Sequence, residues 1–563
     1  MPRQEPVDFT MSAALARFAG YAENDIVLGV HIGGEGMFER LIKTIESAGG
    51  SVIDGWAWLS GEASAVVVNE AAGATRTRPH PWSTLSDYTS WQGLTDRNYL
   101  ARHLPPATVP VMPPVEEIQK LFKRPAGHQR LSGKSTCLFP AFAQYLTDSF
   151  IRTDPTNPAK TTSNHEIDLC PLYGRTPAQT AALRLHDNNA GHRGRLKSQI
   201  IGGEEYPPFL FQPGTKTFNS EFTALDPPLL APNQAPPPLP PSWPDWPQKK
   251  LDTIFAVGGD RVNSTPFTAM MNTLLLREHN RIAGELETRN PSWDDERVFQ
   301  VARNIMIPIF IKIVVEQYIN HITPLPFSVR ADPTVAWTAP WNRPNWITAE
   351  FSLLYRWHSL MPDSIAWKGR EIPLADFTLD NEPLLSAGLD SAFSAAAAQT
   401  AADLGAFNTA DSLLPIEILS INQARTNRLD TYNNYRKQFG MHPAAGFNDI
   451  SGNPDVIGLL SQLYGHPDNV EFYPGLFAED RVPDSPLPGL LMSMVAVDAF
   501  SQALTNPLLS EHVYKNVDTF TQWGFDTINS TSKLGDILKR NVVSRGPTPI
   551  EMTVAGWHYA GGP

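Results

Sequence analysis

Apolar residues recur at helical spacing along much of this chain, most clearly at Val298, Val301, Ala302, Ile305, Met306, Ile309, Phe310 and Ile313. Steps of three and four place them on one face of a helix, the mark of a core-facing element. Ser292 followed by Asp294 and Asp295 predicts the helix start, since short polar side chains cap free N–H groups and acids suit the positive end of the dipole. Pro308 inside the pattern lacks an N–H donor and predicts a kink. The apolar stretch 305–315 is interrupted by Pro308 and Lys312 and falls short of the roughly 20 residues a membrane span needs.

Other segments carry weaker patterns. Phe38, Leu41, Ile42 and Ile45 lie at helical spacing near Arg40 and Lys43, and Ile53, Trp56, Trp58 and Leu59 follow a Gly-Gly break. Such a segment packs on a larger core or lies flat on a bilayer, and the lack of a strong basic face favours packing. Residues 226–248 are dense in proline and form neither helix nor central strand, so an extended surface insertion is expected. Residues 391–402, rich in Ala and Ser, have good helix propensity but little large apolar surface, and are read as a solvent-facing helix or ordered loop.

Composition narrows the function classes. The 563 residues, 42% hydrophobic and 18% charged, suffice for a large buried core. A formal net charge of -13 without a basic tract argues against a nucleic-acid partner. With only Cys137 and Cys170 there is no disulfide framework, and the first residues lack the apolar core of a secretory signal. A cytoplasmic protein, peripheral to a membrane if associated with one, is the expectation.

The candidate chemistry centres on Tyr355 and His358, in the run Phe351-Ser352-Leu353-Leu354-Tyr355-Arg356-Trp357-His358. Three residues apart on a helix, a phenol and an imidazole project to one side, so that one can ligate a metal while the other faces substrate. Taken alone, such a pair is an ordinary core feature. The surrounding string, however, closely resembles the proximal helix of the cyclooxygenases (prostaglandin endoperoxide synthases) of the peroxidase-cyclooxygenase superfamily. Runs 87–91, 193–208, 276–281, 435–441 and 471–476 resemble cyclooxygenase segments in the family's order, so the resemblance covers 87–501. It implies a mainly α, animal-type haem peroxidase fold with few short strands and the haem between a distal and a proximal helix. Residues 1–86 are then an N-terminal segment packing on the core or peripheral to a membrane, and 87–563 a catalytic domain with the Pro-rich insertion 226–248.

The resemblance also implies roles. His358 matches the proximal ligand of a non-covalent haem b, and its second ring nitrogen needs an acceptor. Asn422 resembles the asparagine of the superfamily's peroxidases, with Arg425 in the same run on the cofactor side, whereas Tyr473 matches a tyrosine that cyclooxygenases use through a water. Gln144 occupies the distal glutamine's place, but the distal histidine position holds Asp148. A carboxylate with a pKa raised by burial could move the peroxide proton; alternatively Asp148 turns away into a salt bridge. Arg261, five residues before Pro266, resembles an arginine of mammalian-type peroxidases that stabilises charge on peroxide, the alternatives being a propionate contact or a helix cap. Ser264 stands where those peroxidases carry a glutamate ester-linked to haem, so no covalent link is expected.

Tyr355 matches the tyrosine whose radical abstracts hydrogen from a fatty acid, and Ser501 the serine beside it. Leu325 replaces a channel-mouth tyrosine, leaving Arg76 or Arg78 as candidates to pair with a fatty-acid head. The expectation is a haem-dependent dioxygenase acting on a long-chain unsaturated fatty acid with O2 and a hydroperoxide. Alternatives are a haem peroxidase or peroxygenase of small reductants and an inactive scaffold. Peripheral membrane contact and a homodimer stay open.

Overall fold

Thr265 opens the long central helix: its side chain accepts from the Thr268 N–H, the Thr268 side chain answers at the Thr265 backbone, and Pro266 occupies the first turn, where it has no N–H to waste. In chain order the helices that build the site are α1 (Leu138–Phe150), α2 (Pro266–Arg289), α3 (Asp295–Ile313), α4 (Phe351–Leu354), α5 (Leu389–Ala398) and α6 (Leu414–Thr426). They continue with α7 (Phe472–Ala478), α8 (Gly489–Leu504), α9 (Val517–Asn529) and α10 (Leu534–Asn541). This computed structural model describes residues 64–69, 71–73, 83–85, 88–154, 156–227, 247–259, 261–325, 328–542, 546 and 548–559. The amphipathic segment around Phe38 to Leu59, both arginines Arg76 and Arg78, Asp87 and most of the Pro-rich insertion lie outside them.

Helix α2 is the hub, packed against α1, α3, α5 and α10. Its fully buried Glu278 accepts hydrogen bonds from Arg281, Arg540 and Asn541, pinning α10 to the hub because a buried carboxylate must be partnered. Helix α9 lies along α3, and a Cβ on Gly524 would stand 2.4 Å from Ile305 Cδ1; only glycine permits that approach. Strands are few among the described residues. Three two-stranded antiparallel pairs occur: β1 (Leu131–Thr136) with β6 (Thr400–Ala402), β2 (Gln199–Ile201) with β3 (Glu204–Tyr206), and β4 (Ser364–Trp367) with β5 (Arg370–Pro373). The fold is mainly α, as expected.

The structure alters three local expectations. The cap of α3 is Asp294, whose side chain accepts from the Arg297 N–H, two residues beyond Ser292. The helix passes through Pro308 and runs on through a π-helical turn at Val314–Ile319 to Ile322. The run Asp295–Ile322 is therefore long and apolar enough to cross a membrane, but 78% of its most apolar window is buried inside the fold, which makes it a core helix. Residues 391–402 are not solvent-facing as a whole. Leu389, Ala392, Phe393 and Ala396 are wholly buried in α5, whose small residues let it sit close on α2, and Thr400–Ala402 pairs as β6.

Candidate active site

Tyr355 and His358 do not share one continuous helix. Helix α4 ends at Leu354, Tyr355 leaves helical geometry (φ -101, ψ 23), Trp357 does likewise (φ -93, ψ 44), and a 3-10 turn begins at His358. Three side chains with three destinations explain the break. The Tyr355 ring meets Phe351 at 5.1 Å and Phe150 at 6.3 Å, Trp357 stacks on Phe139 at 5.4 Å, and Arg356 reaches Gln423. A regular turn would have stacked residues 355 and 358 on one face. Pro362 then holds Met361 extended, ending the segment.

On the proximal wall His358 Nδ1 donates to Glu417 Oε1 at 3.0 Å. Glu417 is 1% exposed and also accepts from Thr409 at 3.0 Å and from the Tyr473 hydroxyl at 2.5 Å. Burial and the Glu417 charge push the Tyr473 phenol well above its usual pKa, so it remains a donor. The imidazole partner is thus Glu417, one link nearer than Tyr473, and not Asn422. Five residues along α6 turn Asn422 about 140° away from Glu417, and its side chain is exposed. Arg425 also points elsewhere: it pairs with Glu471 at 2.6 Å and with the Pro113 carbonyl, lining a separate cavity of about 170 Å³ with Met112, Arg428 and Leu429. Glu417 had one sequence signal, a single acid inside the apolar run Leu413-Leu414-Pro415-Ile416-Glu417-Ile418-Leu419.

The distal wall is α1, laid over the proximal segment through Phe139 and Phe150. Asp148 is completely buried and forms an ion pair with Arg152 at 2.5 Å, one turn on. Its other oxygen lies against Gly259, where a Cβ would approach to 2.2 Å. Of the two readings of Asp148, the geometry is that of the salt bridge: sealed by Arg152 and Gly259, the carboxylate has no face in the slot. Gln144 keeps some exposure and donates to Ser264 Oγ at 2.6 Å. Arg261 donates to the Ile151 carbonyl at 3.0 Å, where α1 ends, with part of its surface left free.

Does this slot suit a haem? Nδ1 of His358 is engaged, which leaves Nε2 for iron. Arg356 is the stronger indication. Its Nε is buried without a partner, and among the described residues its one side-chain hydrogen bond, to Gln423, is 3.2 Å long. Burial, and then the nearby Arg261, pull its pKa down to about 10, the behaviour of a cation short of counter-charge. An anionic edge such as a haem carboxylate would supply what the Arg356 guanidinium lacks, so the residues present fit the group.

Beyond Tyr355 the surroundings are apolar. Its hydroxyl and that of Tyr318 are buried, and neither makes a hydrogen bond of proper geometry. Burial raises the Tyr355 pKa, the Tyr318 hydroxyl pulls it back in part, and the charge of Asp498 adds to the rise. Ser501 is on α8, which packs against α4, and its hydroxyl donates to the Asp498 carbonyl at 3.0 Å. A narrow crevice of about 20 Å³ lies beside this helix between Val67, Ile322, Leu325, Met492, Val495 and Phe500. Tyr318, Arg356 and Asp498 escaped the sequence reading because helical spacing makes each look like one more residue of a helix or turn.

Together these walls define a haem-peroxidase-type site, and the sequence profile of the animal haem peroxidase family matches residues 134–549; the chain belongs to that family, whose members bind haem and are oxidoreductases. Among its relatives, prostaglandin G/H synthase 2 of Equus caballus is 31% identical over 469 residues, covering 81% of this chain and 72% of that protein. Prostaglandin G/H synthase 1 of Mus musculus is 30% identical over the same length, covering 81% and 73%. The fold is also that of peroxidase A from Dictyostelium discoideum (TM-score 0.64, 18% identity, 84% of this chain and 99% of that one). A fatty acid alpha-dioxygenase of Oryza sativa is similar too (TM-score 0.61, 16% identity, 78% and 80%).

Proposed function

We propose that this protein is a haem-dependent fatty-acid dioxygenase that works through a Tyr355 radical. The observation that carries the reading is the Tyr355 phenol, three residues before His358 and buried without a proper hydrogen bond among Phe150, Phe351 and Trp357. The names of its relatives, prostaglandin synthases and fatty acid alpha-dioxygenases, support a lipid substrate. Haem b would be held non-covalently, with His358 as its iron ligand and Arg356 and Arg261 as partners for its carboxylates, and would supply a one-electron oxidant. Residues 87–563 act as one catalytic unit. Cys137 and Cys170 are both free and buried, in keeping with a cytoplasmic setting.

The work of the chain starts from a neutral phenol, since the raised pKa keeps Tyr355 protonated at neutral pH. Losing one electron and its proton leaves a neutral phenoxyl radical. That oxygen takes a hydrogen atom from a methylene of a long-chain unsaturated fatty acid, restoring the phenol and leaving a carbon radical. O2 adds to the carbon, and the peroxyl radical takes the hydrogen back from Tyr355 to give a hydroperoxide and the phenoxyl. The apolar wall excludes water while the carbon radical exists. A peroxidase of small reductants is the weaker reading, because Asp148, standing at the proton-shuttle position, is sealed against Arg152.

Tyr355→Phe tests the proposal. The variant should keep haem and its absorption spectrum yet lose oxygen uptake with linoleic acid, because a phenyl ring forms no phenoxyl radical. Undiminished uptake would sink the mechanism.

A further inference from the structure

Helix α4 is one turn long, too short to hold its own shape, and yet it leads directly into the phenol on which the proposed chemistry depends. The Tyr355 hydroxyl makes no hydrogen bond of proper geometry, so the ring is placed by its backbone and by the aromatic rings around it. A short ladder holds that backbone. The Ala101 N–H donates to the Ile347 carbonyl at 3.0 Å, and the Ala349 N–H donates to the Ala101 carbonyl at 2.8 Å. The next rung would run from the His103 N–H to the Ala349 carbonyl, but that carbonyl accepts from Ser352 Oγ at 2.6 Å as the chain turns into α4. The Glu350 side chain takes its place: Oε1 accepts from the His103 N–H at 3.0 Å and also from the Tyr435 hydroxyl at 2.8 Å.

Three parts of the chain thus meet on one oxygen: the 101–103 segment, the start of α4, and, through Tyr435, the helix Tyr432–Gln438. Glu350 is wholly buried, its Oε2 has no partner, and neither group bonded to Oε1 is a cation. An acid buried in that way costs stability and does not add it, so packing alone does not account for its presence. Glu350 and Tyr355 stand at opposite ends of the same turn, and the oxygen that fixes one end fixes where the other delivers the ring. Hydrogen transfer needs the phenol oxygen and the substrate carbon in near contact, and a misplacement of about 1 Å costs on the order of 100-fold. Resting on the Tyr355 radical reading above, we propose that Glu350 is a positioning residue that sets the orientation of the Tyr355 ring, and with it which carbon of the fatty acid gives up its hydrogen.

The test reads the ring directly. In a phenoxyl radical the hyperfine splitting by the two Cβ hydrogens depends on the torsion between ring and backbone, so electron paramagnetic resonance of haem-loaded protein, frozen after addition of a hydroperoxide, reports the orientation. Glu350→Ala should change that splitting, spread the oxygenation of linoleic acid over more carbons as read by mass spectrometry, and lower kcat by about 100-fold with KM unchanged. Glu350→Gln, which keeps an acceptor oxygen for both donors, should restore the parent spectrum and products. Tyr435→Phe removes one of the two hydrogen bonds and should move both readouts the same way by less; it decides the matter if Glu350→Ala does not fold. Parent splitting and parent products in the variant that is read, with or without a loss of kcat, would overturn the proposal, because a merely structural role predicts that result. Absence of a tyrosyl radical in the parent, or a radical that survives Tyr355→Phe unaltered, would instead sink the radical reading itself, a result distinct from a ring that does not turn.

Discussion

On the proximal wall each polar group passes a hydrogen bond to the next, from His358 to Glu417, with Tyr473 and Thr409 completing the acid. On the distal wall the corresponding acid, Asp148, is bound to Arg152 within its own helix. Both acids are buried, yet they do opposite things. Glu417 holds the His358 imidazole through Nδ1, a contact that fixes its tautomer and would strengthen it as a ligand. Asp148 is turned from the slot, and its charge is spent on holding Arg152, which also faces Asp226 at 3.6 Å. A buried acid therefore says nothing about catalysis until its partner is known. The asymmetry supports the proposed reading, in which His358 would hold the haem iron and Asp148 would add little to peroxide proton transfer.

The largest effect expected from breaking the comparison is at His358. His358→Ala should abolish normal iron ligation in haem-reconstituted protein while the chain stays folded, because the core helices do not depend on this imidazole. The absorption spectrum reads ligation and circular dichroism reads the fold. A ligand-field spectrum identical to the parent's would remove His358 from the ligand role.

How far the sequence carries this site depends on what kind of information each residue needs. The eight apolar positions from Val298 to Ile313 foretell a core helix because spacing alone fixes the face, and all eight are buried, Val301 included, at 5% or less. The string around His358 marks the proximal segment, but not its break after Leu354, which follows from packing partners far away in sequence. Phe139 and Gln423 are examples. Glu417 and Asn422 sit on the same helix, and choosing between them requires knowing which face meets His358. Asp148 is visible as a departure, while its pairing with Arg152, at the helical spacing of four, was available as a pattern but not as a certainty. Asp498 was hidden because nothing local connects it with Tyr355.

The next effect sharpens the contrast between the two faces of α6. Glu417→Gln keeps an oxygen for His358 Nδ1 but removes the charge, and Glu417→Ala removes both. Haem affinity should fall by about 10-fold for the first and toward about 100-fold for the second, the range seen when a partner behind a metal ligand is lost. The iron reduction potential should rise alongside, because a less electron-rich imidazole stabilises the oxidised metal less well. Asn422→Ala, on the opposite face, should leave both quantities unchanged. A response to Asn422→Ala with none to Glu417→Gln would reverse the assignment of the imidazole partner.

The smallest effect on rate belongs to Asp148. A residue that shuttles the peroxide proton contributes on the order of 100-fold to 10,000-fold, so its loss is unmistakable. If the ion pair with Arg152 is instead its whole role, Asp148→Asn should leave peroxide-driven oxidation of a small reductant within about threefold of the parent, far below that range. Stability should suffer, because Arg152 stays buried after losing its 2.5 Å partner, with Asp226 at 3.6 Å as an acid still facing it. Breaking a buried pair costs about 3 kcal/mol or somewhat more, and the remaining acid places this case at the low end. Chemical denaturation of Asp148→Asn beside the parent, at equal haem content, reads that cost directly. A rate loss of two orders of magnitude with unchanged stability would mean that the carboxylate reaches the slot after all, and the distal wall would then be a working acid–base site.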